Sequence, residues 1–333
     1  MRIAVDAVGG DHYPDNPVLG SIKALEENDD LVVILVGPEE LVRMELDKYD
    51  YPEERLLVHH APEVIGMIES PAQAVKNKPH SSITVGLGLH AKGHAEAFIS
   101  AGNTGALLAA STLILGRLEG VIRPTIATIY PTLKGFRLVI DVGANLEVKP
   151  EMLYQFASMG CIYAREIMGI DNPKVGLVNV GEEEEKGTEN LKKANKLLQE
   201  MNAFIGNVEG GDILTGEADI FVCDGYVGNV LLKFGESIPA VLEKLIYKVL
   251  KEDNLSKENA GLVGQVFKKA MAPFDHQKVG GVPFLGVNGV SLVGHGGSSP
   301  TSVKNMILNS VKFVEAKVNE KIVTSLNNPL NVD

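Results

Sequence analysis

Tryptophan is absent from this 333-residue chain, and aromatic residues make up only 5% of it. The core must therefore be filled by Val, Ile, Leu and Ala, which suits parallel strands buried on both faces. Cysteine occurs only twice, at Cys161 and Cys223. Two thiols far apart, behind an N-terminus with no long apolar leader, read as reduced cytosolic groups rather than a disulfide framework. Positive charge is in deficit, with 31 Lys and Arg against 43 Asp and Glu, a net charge of −12. That balance excludes a general nucleic-acid binder, because neutralising phosphates takes Lys and Arg. No apolar run reaches the ~18 residues of a membrane span. The chain is expected not to cross a bilayer, which leaves a peripheral contact open.

Other absences narrow the chemistry. There is no 20–50-residue repeat, no low-complexity tract and no linker rich in Pro, Gly or Ser. Residues 1–333 therefore read as one two-lobed unit. Neither G-x-x-x-x-G-K-[ST] nor G-x-S-x-G occurs, so ATP hydrolysis and serine-hydrolase chemistry lose support. Gly86-Leu87-Gly88-Leu89-His90-Ala91 matches a dinucleotide fingerprint in form, but it lies in a helix-like run. No H-E-x-x-H spacing supports a metal, and the sequence predicts neither metal nor cofactor.

What is present is alternation. Val- and Ile-rich runs at 2–8, 31–36, 55–59, 96–100, 125–130, 136–141, 174–180, 218–223 and 290–293 predict strands. Helices are predicted over 16–28, 38–49, 71–78, 82–93, 104–118, 150–168, 187–201 and 300–322. Ser70-Pro71-Ala72-Gln73 has capping-box spacing, and Ser299-Pro300 opens the last helix in the same way. Alternating strands and helices imply an α/β fold of three layers, helices on both sides of a mostly parallel sheet.

Six glycine-rich polar clusters follow strand-like runs: 4–14, 99–109, 139–145, 177–187, 221–229 and 293–299. Loops leaving the carboxyl ends of parallel strands converge on one crevice, so six such loops imply one site. Glycines let backbone N–H groups approach a ligand, and a helix N-terminus favours an anion. Gly102, Asn103, Thr104 and Gly105 form such a turn, and Gly296, Ser298 and Ser299 form another beside His295, which can move a proton near neutral pH. Asp6, Asp11, Asp141 and Asp224 stand at or just after predicted strand ends, where carboxylates orient donors, move protons or simply cap turns. Lys186 closes a run of four glutamates before Gly187. It is either part of a solvated acidic face or a cation set over a phosphate or a developing oxyanion. Cys223 reads as a buried core thiol rather than a nucleophile.

Residues 237–271 differ from the rest. Ile238, Val241, Leu242, Leu245, Ile246, Val249 and Leu250 fall on one helical face, and a second amphipathic helix follows Ser256, giving a helical hairpin excursion. Residues 233–278 hold eight lysines and six acidic residues, reversing the sign of the chain. Lys244, Lys248, Val249, Leu250, Lys251 and Leu255 are candidates for contact with an anionic membrane or an acidic partner. The competing expectation is that the apolar face packs on the second helix or on a dimer mate.

Taken together, MRIAVDAVGGDHYP, SAGNTGALLA (100–109), DVGAN (141–145) with Lys149-Pro150-Glu151, NVGEEEEKG (179–187), GNVEG (206–210), DGYVGN (224–229) and GHGGSS (294–299) resemble the bacterial phosphate acyltransferases of phospholipid synthesis, the PlsX family. Val8 stands where that pattern has Met, and Thr188 where Asn is usual. The resemblance implies a fold like phosphotransacetylases and the isocitrate/isopropylmalate dehydrogenases. It implies transfer of an acyl group from acyl carrier protein to inorganic phosphate in a cytoplasmic, membrane-peripheral homodimer. On it, Lys186, Asn145, Asp224 and His295 are expected to be catalytic. Asp6, Gly9, Gly10, Asp11, Gly102, Asn103, Thr104, Gly105, Asn179, Asn229, Gly296, Ser298 and Ser299 are expected to bind phosphate or substrate. A short-chain acyl-CoA phosphotransacetylase, a dehydrogenase of related fold and a non-catalytic membrane scaffold for lipid enzymes remain the alternatives.

Overall fold

The computed structural model describes residues 1–252, 256–274, 277 and 280–327. Among them, eleven strands form one sheet: β1 (Arg2–Asp6), β2 (Val32–Gly37), β3 (Leu56–His60), β4 (Ala97–Ser100), β5 (Thr125–Thr132), β6 (Gly135–Ile140), β7 (Val175–Val178), β8 (Phe204–Val208), β9 (Ile220–Val222), β10 (Val282–Leu285) and β11 (Ser291–Val293). Their order is β3-β2-β1-β4-β11-β10-β5-β6-β9-β7-β8. The first five strands of that order are mutually parallel, as are the last four. Between the two blocks lie three successive antiparallel pairings, β11 with β10, β10 with β5 and β5 with β6. An odd number of reversals makes the two parallel blocks run in opposite directions.

The helices are α1 (Asp15–Glu27), α2 (Glu39–Leu46), α3 (Pro71–Asn77), α4 (Ser82–Ala91), α5 (Thr104–Ile114), α6 (Pro150–Glu166), α7 (Glu189–Leu198), α8 (Gly210–Thr215), α9 (Gly225–Glu252), α10 (Lys257–Met271), α11 (Pro300–Glu315) and α12 (Val318–Asn327). Side chains alternate across a strand. Ile3 and Val5 of β1 accordingly enter a core with Ile22 of α1, Phe156 of α6 and Ile307 of α11. Ala4 enters a second core with Leu87 of α4 and Leu107 of α5. Two cores on opposite faces make the three-layer α/β fold expected from the sequence. The apparent dinucleotide motif lies within α4, where an added Cβ on Gly86 would fall 2.1 Å from the Phe98 ring. That glycine serves close helix–sheet packing.

The sequence misses β8, β10 and α8. It also predicts one helix over 300–322, where α11 and α12 are separated at Ala316 and Lys317, the latter at φ 53°. Ser299 and Ser256 cap their helices by accepting the Ser302 and Asn259 amides. Ser70 makes no capping hydrogen bond, although Pro71 does open α3. The hairpin begins twelve residues earlier than expected, because α9 runs unbroken from Gly225 through Pro239 to Glu252. Its first turns pack against the end of β6, inside the sheet: an added Cβ on Gly228 would fall 1.8 Å from the Asp141 carbonyl oxygen. Only glycine lets the helix begin that close, which is why a helix can carry the turn-like string DGYVGN.

Candidate active site

The loops after β1, β4 and β11 interlock, because those three strands are neighbours in the sheet. Asp6 ends β1 with its carboxylate buried. Oδ2 accepts the Ser100 hydroxyl at 2.6 Å and Oδ1 accepts the Val8 amide at 3.1 Å. Ser100 Oγ in turn accepts the Gly102 amide at 3.0 Å. Burial pushes the Asp6 carboxyl above its ordinary range, against the pull of hydrogen bonds from Ser100, Ser82 and Val8. Gly9 fits inside this relay: a Cβ there would lie 2.6 Å from Asp6 Oδ2 and 2.9 Å from the Gly102 nitrogen. The Asp11 amide donates to the Gly296 carbonyl at 2.8 Å, tying the first loop to the third.

Asn103 caps α5 by accepting the Ala106 amide, and its Nδ2 spans the carbonyls of Gly66, Met67 and Glu69 at 3.1–3.2 Å. Its donors are thereby committed to the 66–69 turn rather than turned to the cleft. The first-turn amides of α5, at Thr104 and Gly105, have no carbonyl one turn behind them and carry the helix's partial positive charge. Ser299 is similarly occupied as the α11 cap, and its own amide donates to Gln277 Oε1 at 2.7 Å. Buried Ser298 accepts the Ser302 hydroxyl. His295 is exposed, and its Nδ1 accepts the Gly297 amide at 3.1 Å.

From the opposing block, Asp141 follows β6. Its buried carboxylate gathers the amides of Gly143, Ala144 and Asn145 at 2.7–3.1 Å, together with Asn145 Nδ2 at 2.9 Å. Desolvation raises its pKa, and these donors pull it back. Asn145 Nδ2 also donates to the Pro124 carbonyl, so Asn145 and Asp141 shape this loop together. Asp224 Oδ1 accepts the Val227 amide at 2.8 Å within the first turn of α9. Cys161 and Cys223 are buried. Desolvation pushes Cys161 up to about 12 and lifts Cys223 well above the usual thiol range.

The two sets of loops meet over β5 around a cleft of about 570 Å³. Its polar lining includes Asp11, Thr104, Asn229, Lys233, Glu236 and His295, with Gly102, Gly105 and Gly296 as backbone. Of the residues expected from the sequence, Asp11, Gly102, Thr104, Gly105, Asn229, Gly296 and His295 therefore come together at one opening. Asp6, Gly9 and Gly10 brace it from behind, with Gly10 at φ 97° against the Gly296 carbonyl. Asn145 and Asp224 brace it from the opposing loops.

Lys186 and Asn179 do not line the cleft. Their loop follows β7, which lies beyond β9 from β6. Asn179 Nδ2 donates to the Lys186 carbonyl, while the Lys186 side chain is half-exposed and 4.0 Å from Glu183. Lys233 of α9, which the sequence reading passes over, does line the cleft, paired with Glu236 at 2.9 Å. A signal for it existed in the i, i+4 spacing from Asn229, which places both on one helical face. Tyr130 was also missed. It stands on β5 against the edge of Phe274, with ring centroids 6.2 Å apart. No group of three or more His, Cys, Asp or Glu side chains suited to a metal occurs among the described residues.

A family model described as "Fatty acid synthesis protein" matches residues 1–321. The phosphate acyltransferase of Salinibacter ruber is 50% identical over 310 residues, 92% of each chain. That of Halothermothrix orenii is 43% identical over 336 residues, covering 100% of this chain and 99% of its own. In fold, a phosphotransacetylase from Streptococcus pyogenes superposes with a TM-score of 0.63 at 16% identity, covering 95% of this chain and 94% of that one. The chain is an acyltransferase that belongs, over nearly its whole length, to the phosphate acyltransferase family of fatty acid and phospholipid synthesis.

Proposed function

We propose that this enzyme moves the acyl group of an acyl-acyl carrier protein onto inorganic phosphate. A phosphate oxygen bonds to the thioester carbonyl carbon, the C–S bond breaks, and the carrier thiolate takes up a proton. The observation that carries this reading is the pairing of an anion-accepting cleft with deeply buried thiols. On this reading the Thr104 and Gly105 amides, Lys233 and Asn229, all lining the cleft, hold the tetrahedral anion, and both cysteines are buried. Phosphate itself is then the nucleophile and no acyl-enzyme is needed. His295, exposed at the cleft, supplies the proton to the leaving sulfur. Lys186 takes no step in this reading, because its loop after β7 lies outside the cleft and its side chain is half-exposed beside Glu183. Asn145 and Asp224 position the opposing loops.

The test is the purified protein, stripped with chelator, given acyl-acyl carrier protein and phosphate, with acyl phosphate trapped by hydroxylamine. Phosphate-dependent product without nucleotide or metal is expected. Turnover of short-chain acyl-CoA alone would instead assign a phosphotransacetylase, and no acyl transfer from either donor would refute the reaction.

The arm formed by the end of α9 and by α10 belongs to the same reading. No helix among the described residues is long and apolar enough to cross a membrane. Yet Val241, Leu245 and Val249 of α9 and Leu262 and Val266 of α10 are each more than half exposed, and α10 buries no residue. This face is not covered by its own second helix, so a homodimer mate covers part of it. Lys244, Lys248, Val249, Leu250 and Lys251, toward the tip, then meet anionic lipid on the cytoplasmic surface. Leu255 lies outside the described residues. Salt-sensitive sedimentation with anionic vesicles, lost on Leu250→Glu, is expected; equal binding by both proteins would remove the arm from membrane contact.

A further inference from the structure

Beside the polar cleft lies a second chamber of about 240 Å³. Its walls come from four elements: Thr128 and Tyr130 from β5, Val139 and Val142 from β6 and the residues after it, Ile213 and Leu214 from α8, and Leu231 and Phe234 from α9. The only side-chain polar atoms in its lining are the hydroxyls of Thr128 and Tyr130. Val139, Val142 and Ile213 are buried, Leu231 is half-buried, and Leu214 and Phe234 stand exposed at the rim. Thr128, Tyr130, Val142 and Leu232 line both this chamber and the polar cleft. The two spaces thus meet across a wall of four residues, one polar and anion-accepting, the other apolar.

We propose that this chamber receives the far end of the substrate's acyl chain and sets the preferred chain length. The inference rests on the acyl-transfer reading above. A thioester of a fatty acid has a polar reacting centre continuous with an unbranched apolar tail, and the two spaces present that polarity in that order. A second copy of the chain is the competing occupant, since Leu214 and Phe234 are exposed. Continuity with the cleft favours the tail, because a tail reaches the chamber without leaving the site. The chamber's floor, at Val139 and Ile213, is fixed in the second core, so its depth is set by packed side chains.

Leu231 reports on this directly, because it lies in the chamber wall, outside the polar cleft, and is only half-buried. Leu231→Trp narrows the chamber and Leu231→Ala widens it. Each methylene denied burial costs roughly fourfold in kcat/KM. The ratio of kcat/KM for a 16-carbon to an 8-carbon acyl-acyl carrier protein is expected to fall about tenfold or more in Leu231→Trp, and to hold or rise in Leu231→Ala. The 8-carbon substrate checks that each variant is folded and competent. A ratio unchanged in both variants overturns the proposal. Equal loss at both lengths with a changed oligomeric state in size-exclusion chromatography assigns the chamber to a second copy and also overturns it. Wild-type protein inactive on every acyl donor sinks the acyl-transfer reading itself, an outcome separate from a failed chain-length dependence.

Discussion

Gly9→Ala tests how the cleft is braced. A methyl on Gly9 would meet Asp6 Oδ2 at 2.6 Å and both Ser100 Oγ and the Gly102 nitrogen at 2.9 Å. The tightest contact is ~0.8 Å inside the 3.4 Å at which ordinary contact begins. None of the three atoms yields cheaply, because each is held in the Asp6–Ser100–Gly102 relay. The strain moves either Gly9 or the turn before α5. Displacements approaching 1 Å at a positioning loop cost up to ~10² in rate. Overpacking a tight site costs about 1–3 kcal/mol in stability. Gly9→Ala is therefore expected to raise the KM for phosphate and lower kcat/KM by roughly 10- to 100-fold, in protein that still melts cooperatively. Gly88→Ala is the matched control, since nothing lies within 4 Å of its added Cβ and the residue sits inside α4. A folded Gly9→Ala enzyme with wild-type phosphate dependence would refute the idea that this relay supports the anion site.

The two lysines separate by kinetic signature: Lys233→Ala is expected to raise the KM for phosphate, and Lys186→Ala, outside the cleft, to leave kcat and Tm near wild type. A kcat lowered by ~10² or more in Lys186→Ala would overturn that and put its side chain at the reacting carbonyl. Asp6, raised by desolvation, holds its proton more tightly folded than unfolded, so its contribution to stability is greatest at low pH and is lost as pH rises from about 4 through its folded value. Thermal melts should show Asp6→Asn gaining on wild type across that rise, and a difference flat with pH would contradict the assignment. Thiol alkylation of the native enzyme at pH 8 should leave activity intact, because desolvation keeps both cysteines protonated. Rapid inactivation would point to an acyl-cysteine instead.

Much of the fold could be read from the chain because its central strands are continuous apolar runs closed by glycine loops. The misses have local causes. β10 reads Val282-Pro283-Phe284-Leu285, and an internal proline demotes a strand. Here it survives between two antiparallel neighbours. β8 is an edge strand interrupted by Gly206 at φ 111°, where its register with β7 slips. α9 hides its first turns in glycines that read as a loop until Gly228 is seen under the Asp141 carbonyl.

The residues of the candidate cleft stand out in the sequence by type but not by arrangement, and the reason is strand direction. Six loops after six strands suggest one crevice only if all six strands point the same way. Three antiparallel pairings in the middle of the sheet reverse the second block. The loops after β1, β4 and β11 therefore converge because those strands are adjacent, and nothing in their sequences encodes that adjacency. From the reversed block, the loop after β6 reaches the cleft because β6 pairs with β5, the strand beneath the opening: Ile140 stands opposite Ala127. The loop after β7 is two strands further out. The same geometry accounts for Lys233. α9 begins at the end of β9, next to β6, and its first turns run beside Asp141, so its Asn229–Lys233 face is delivered to the opening by a helix rather than by a glycine loop. A search for glycine clusters finds the backbone proposed to accept the anion. The side-chain cation beside it lies on a regular helix, where its periodicity, not its composition, is the mark.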